Sequence, residues 1–199
     1  MFASKEYKQI YESQKCQPEY IRILSNGTLF TKERWENFKK NKNCKMMLTV
    51  SVDAATKETY EQIRCGGNFE QLKKNMEFAS ELRKQGELCY FRMNFVVQRE
   101  NYKEMISFVQ WGEELEVDEI FFTKILNWGT YTEEEFAKIS MMEKDGITPK
   151  EELKEILKHP VMQSYIVDLG TIQYSHKVDR IDVVENYYIW ELEKRGGKI

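Results

Sequence analysis

Several short runs of the 199-residue chain place polar side chains where strands could present them to a ligand. Thr49, Ser51 and Asp53 alternate with Leu48, Val50 and Val52, and Arg92 and Asn94 alternate with Phe91, Met93 and Phe95. Successive side chains of a strand point to opposite faces, so each run is polar on one side and apolar on the other. A strand buried on both faces reads as continuous Val, Ile and Leu, and neither run does. Recurrence on two strands predicts a concave, ligand-facing surface rather than a merely solvated one. Two further polar stretches, Ser25-Asn26-Gly27-Thr28 and Lys124-Ile125-Leu126-Asn127-Trp128-Gly129, stand where other strands would end.

Each candidate also has a structural reading. Asn26-Gly27 is a good turn by itself, since both residues tolerate positive φ. Asp53 either braces the turn before Thr56 or contacts a ligand hydroxyl. Arg64 with Gly66-Gly67 could bind an anion through guanidinium and backbone N–H groups, or simply mark a helix C-terminus with a flexible exit. Trp128 reads as a lid or packing residue, and Glu133-Glu134-Glu135 as a solvated first helical turn. As an acid–base pair the concave face offers only Asp53 and Lys124. The four cysteines, Cys16, Cys44, Cys65 and Cys89, form no CxxC or CxxxC pair, and His159 and His176 add no ligand spacing. The sequence alone contains no metal site.

Positioning these residues requires alternating strands and helices. Ser4 caps a first helix over residues 4–14, residues 20–24 form a strand, and Thr31 caps a helix to about Lys40. A strand over residues 46–52 follows, then a helix opened by Thr56 that stops before Gly66-Gly67. Asn68 with Gln71 reads as a capping box for a helix that Gly86 ends, and Asn101 with Glu104 as another. Strands over residues 88–97 and 119–125 complete a series of four, which implies parallel pairing with right-handed crossovers. Thr132 with Glu135, and Thr148-Pro149 with Glu151, start two more helices, and Asp179 caps a last one to about Lys194.

Composition narrows the function classes. Thirty basic and thirty-three acidic residues leave a net charge of -3, so no general affinity for nucleic acid or anionic lipid follows. No apolar run approaches the roughly 20 residues of a membrane span, and the first residues lack a signal-peptide pattern. The expected address is cytoplasmic, with neither nucleic acid nor membrane as a partner.

Together these segments resemble a known family. Residues 20–30 (YIRILSNGTLF) and 48–67 (LTVSVDAATKETYEQIRCGG) are similar to the third and fourth strand units of radical S-adenosylmethionine (SAM) enzymes. Residues 68–86, 91–102 (FRMNFVVQRENY) and 117–129 (VDEIFFTKILNWG) resemble the fifth and sixth units of the branch that often carries a SPASM or twitch domain. The resemblance extends to His159-Pro160 and Val167-Asp168-Leu169-Gly170. It implies a (βα)6 partial barrel in which a [4Fe-4S] cluster on a CxxxCxxC loop reductively cleaves SAM. The resulting 5′-deoxyadenosyl radical then abstracts hydrogen from a substrate. By resemblance, Ser51 and Asp53 match positions that contact SAM's polar groups, Asn94 is a ribose or substrate contact, and Asn26 lines the same mouth.

The chain departs from that family in lacking CxxxCxxC and the units before the third strand; Met1-Phe2-Ala3-Ser4 matches an internal position. The expected architecture is therefore α/β, a truncated TIM-like partial barrel of about four parallel strands over residues 1–130, with a helical C-terminal extension over residues 131–199. SAM and the cluster are implied by resemblance, the cluster is not expected on this chain, and no residue is assigned as catalytic or metal-binding. The chain is expected to be inactive alone, and its substrate is unknown. The alternative is a cluster-free binding or assembly module that pairs through an exposed sheet edge, with a second copy or with a complementing barrel half.

Overall fold

The computed structural model describes residues 19–39 and 44–173. The helices expected over residues 4–14 and 179–194, with Cys16 and His176, lie outside those residues. Five strands form one sheet: β1 (Tyr20–Ser25), β2 (Lys45–Ser51), β3 (Leu88–Val97), β4 (Glu119–Lys124) and β5 (Val167–Asp168). Their spatial order is their chain order, and every neighbouring pair is parallel. A sheet that advances one strand at a time is the progression of an opened βα barrel, whereas a doubly wound sheet reverses direction at a switch point.

The crossovers are α1 (Lys32–Lys39), α2 (Lys57–Ile63) and α3 (Phe69–Lys84), then α4 (Met105–Glu114). Between β4 and β5 lie α5 (Glu133–Ile139) and α6 (Glu151–Leu157), and α7 (Gly170–Gln173) follows β5. None of the described helices is long and apolar enough to cross a membrane.

Alternation along β3 builds the core. Phe91, Met93, Phe95 and Val97 are buried, and the residues between them are half-buried. With Leu48 and Val50 of β2 and Ile120 and Phe122 of β4, they pack on Leu72, Met76, Met105 and Phe108 of the helices. Phe95 meets Phe108 edge-on at 4.8 Å and Phe122 at 5.4 Å. The apolar faces therefore point to the helices, which leaves the polar faces to the opposite side.

The fifth strand corrects the expectation of about four. Val167 and Asp168, assigned by sequence to a helical extension, pair with Ile120 and Phe121. Two residues are too few to display a period, so tertiary pairing alone makes them a strand. The caps also differ in part. Thr132 and Glu135 form the full reciprocal box. At α3 only half of a box exists: Asn68 accepts from the Gln71 backbone N–H, while the Gln71 side chain bonds Asn75. Asn101 and Glu104 form no box at all.

Candidate functional site

Strand register decides which side chains meet. Thr49 lies opposite Arg92 and Ser51 opposite Asn94, while Arg92 and Asn94 lie opposite Glu119 and Phe121. Partners across a parallel ladder share a face, so these residues form one surface. Its lower part is closed by its own contacts. The Tyr90 hydroxyl donates to Glu119, Arg92 Nη1 lies 3.3 Å from Glu119 Oε1, and Arg92 Nε donates to Asn94 Oδ1 at 2.8 Å. The guanidinium also stacks 3.9 Å from the centre of the Phe121 ring. Burial, followed by the bond to Glu119, holds the Tyr90 phenol protonated far above its usual range. Arg92 is thus an internal brace.

Toward the carboxyl ends the surface opens. The half-buried Ser51 hydroxyl and the Asn94 Nδ2 have no hydrogen-bond partner among the described residues. A hydroxyl and an amide donor side by side suit vicinal hydroxyls or a carboxylate.

Asp53 leaves this alternation. β2 ends at Ser51, and Asp53 adopts φ 67°, a left-handed conformation that aspartate tolerates better than most residues. Its carboxylate turns into the protein: Oδ1 accepts from Val96 N–H at 2.8 Å, and Oδ2 receives the Arg64 guanidinium. Burial pushes its carboxyl up, against the lowering pull of Arg64 and of the Val96 N–H. Of the two roles open in the sequence, these contacts are those of the brace. Period two holds for Thr49 and Ser51 and does not extend to Asp53.

Asn26 sits beyond β1, and its Oδ1 accepts from both Thr28 N–H and Thr28 Oγ1, an Asx turn. The turn fits only because of Gly27, at φ 77°: a Cβ there would lie 2.6 Å from Leu72 and 2.8 Å from Val50. Lys124 donates to the Gly146 carbonyl at 2.6 Å, so it and Asp53 are committed to separate partners. Trp128 is 86% exposed, so among the described residues it is not the packing residue one reading allowed.

Three residues that hold this region together were not singled out by sequence as site residues. Asn75 of α3 donates to the carbonyls of Gly27 and Thr28, fixing the β1 exit. Asn101, fully buried, accepts from Gln98 N–H and donates to the carbonyls of Asp53 and Val96. Glu104 accepts from Ala55 N–H at 2.6 Å, Thr56 N–H at 3.1 Å and Thr56 Oγ1 at 2.6 Å, and also from the Thr59 hydroxyl. The available signal was Asn75, a polar residue set among the buried apolar positions of α3. Asn101 and Glu104 gave none, because their spacing imitates a capping box.

Cofactor fit follows from these donors. Ser51 and Asn94 offer a hydroxyl and an amide donor of the kind the resemblance assigns to SAM's polar groups. The iron–sulfur cluster is another matter: no group of three His, Cys, Asp or Glu among the described residues could hold a metal ion. Cys44, Cys65 and Cys89 form no disulfide and lie ahead of β2, after α2 and within β3, and a cubane needs closely placed thiolates.

No protein-family model matches the sequence, and no curated protein matches it. Solved structures do. SuiB from Streptococcus suis bound to S-adenosylmethionine aligns with TM-score 0.51 and 16% identity, over 81% of this chain and 36% of SuiB. A second structure of SuiB gives 0.51 at 15% identity, over 80% of this chain and 35% of that one. SuiB bound to the precursor peptide SuiA gives 0.53 at 16% identity, over 81% and 36%. The chain thus spans about a third of the length of these structures. The likeness is one of architecture: this chain has a radical SAM-like fold.

Proposed function

We propose that this chain binds S-adenosylmethionine on the open part of its polar sheet face, as the carboxyl-terminal portion of a radical SAM-type barrel. One observation carries the reading: the register that sets Ser51 beside Asn94, both with donors unspent, at the carboxyl ends of adjacent parallel strands. Ligands of parallel α/β folds bind at that end, and a neighbour of the same fold is bound to SAM. In such a barrel the cluster supplies the electron that cleaves SAM, and the protein binds and orients the cofactor. The second task suits the described residues, and on this reading activity requires a cluster that they do not hold.

Titration calorimetry of the full chain with SAM tests the binding. Saturable heat that Ser51→Ala or Asn94→Ala weakens about tenfold supports the reading, and no saturable heat overturns it. Anaerobic reconstitution with iron and sulfide tests the rest; stoichiometric cubane absorbance would overturn the claim that the chain alone lacks the cluster.

A second reading is an assembly module, favoured by the position of β1. Among the described residues it is an edge strand of the sheet, and its Leu24 is 66% exposed. Edge strands invite pairing with another chain. Light scattering decides: a dimer or larger species favours assembly, and a monomer across the concentration range removes it.

A further inference from the structure

A second concavity lies apart from Ser51 and Asn94. The turn after β1 and the segment from α2 to α3 enclose a cavity of about 490 Å³, a size that suits a small organic ligand. Its walls include Asn26, Tyr60, Arg64, Asn68 and the Gly66-Gly67 step, and no carboxylate.

Two of the lining acceptors, the amide oxygens of Asn26 and Asn68, are already used, and Gln71, whose Nε2 donates to Asn75, adds one open amide oxygen. Asn26 Oδ1 is held by Thr28, and Asn68 Oδ1 accepts from Gln71 N–H at 2.9 Å as the cap of α3. Each amide therefore presents an NH2 group with no partner among the described residues. The Tyr60 hydroxyl is likewise without one. Arg64 gives Nη2 to Asp53, while its Nε is buried with no hydrogen-bond acceptor. With no accessible surface, that Nε is out of a ligand's reach, so the guanidinium serves the cavity through Nη1, which has no partner among the described residues. Gly67 keeps the floor open: a Cβ there would meet the Tyr60 ring at 2.6 Å and the Arg64 carbonyl at 2.8 Å.

We propose that this cavity binds the oxyanion group of a small molecule, a carboxylate or a phosphate, against the guanidinium of Arg64 and the amide NH2 groups of Asn26 and Asn68. Arginine presents a planar set of donors that matches either group, and neutral amides complete the shell without adding charge. The proposal does not rest on SAM binding to the sheet face.

The test is an amide NMR titration of the full chain with sodium phosphate and, separately, sodium acetate, each against sodium chloride at equal ionic strength. Saturable shifts centred on Gly66, Gly67 and Asn68 are expected, and the stronger anion identifies the ligand group. Asn68→Asp retains a capping oxygen for α3 yet puts a negative charge in the wall, so it should weaken binding about tenfold or more while the thermal midpoint holds. Asn26→Asp makes the same change across the cavity and keeps the Asx turn, which guards against a folding defect in the first variant. Shifts that never saturate for either anion, or equal affinity in wild type and both variants, overturn the proposal.

Discussion

The exits of β2 and β4 stand at the same end of the sheet and are built in opposite ways. Beyond β2, the chain from Asp53 to Thr59 is tied by bonds that cross more than forty residues of sequence: Asp53 to Val96, Asn101 to the Asp53 carbonyl, and Glu104 to Ala55, Thr56 and Thr59. Beyond β4, the turn closes mainly on itself. Asn127 accepts from Gly129 and Tyr131 N–H and donates to the Tyr131 carbonyl, and Trp128 faces outward. The latched exit is the one that follows Ser51. The cofactor contact proposed for Ser51 needs its neighbours held in place, and long-range bonds supply that, because breaking them requires opening the tertiary structure.

Substitutions can break this contrast. Asn101→Ala should have the largest effect, since it strands one buried N–H and two carbonyls; a loss of about 3–4 kcal/mol in urea unfolding is expected. Glu104→Gln keeps a carbonyl acceptor for the Ala55 and Thr56 N–H groups but loses the charge, and sets an NH2 against the Thr56 and Thr59 hydroxyls, which must then turn to accept. It should cost about 1–2 kcal/mol and speed hydrogen exchange at Ala55 and Thr56. Trp128→Ser, at the other exit, should change stability by less than about 0.5 kcal/mol in the same assay. An effect as large as that of Asn101→Ala would show that the β4 exit is held by more than its own turn.

The smallest effect concerns protonation near the β4 exit, where Lys124 contacts Gly146. Asp145 accepts from the hydroxyl and N–H of Thr148 and from Ile147 N–H, and these bonds lower its pKa to about 2. A depressed carboxyl pKa contributes stability that is complete above its ordinary value of 3.8 and is lost as pH falls toward 2. The Ile147 and Thr148 amide resonances should therefore titrate with a midpoint near 2, provided the fold persists to that pH. A midpoint near 4 would show that the turn is not closed by this carboxylate in solution.

Much of this was legible in residues alone. The bounds of β3 agree at both ends, because alternation from Phe91 through Phe95 sits within a long apolar, β-prone run. Thr56, Asn68, Thr132 and Gly86 mark helix ends by chemistry that acts within three or four residues, which sequence records directly. The candidate face was legible as far as Thr49, Ser51, Arg92 and Asn94, since alternation assigns the side of a strand. At Asp53 the sequence left brace and ligand contact both open, and the positive φ that ends the alternation there is visible only in the structure.

The tertiary structure decided the remainder. Which strand lies beside which, and therefore that Ser51 stands by Asn94, is a matter of register between segments about forty residues apart. That Arg92 is spent on Glu119, that Glu104 latches the β2 exit, and that two residues at 167–168 become a strand are likewise contacts across the fold. Periodicity and caps are short-range consequences of backbone geometry, so the chain carries them by itself. Partners are chosen only when packing brings distant groups together, and for that reason the donors of the candidate sites could be enumerated beforehand but not paired.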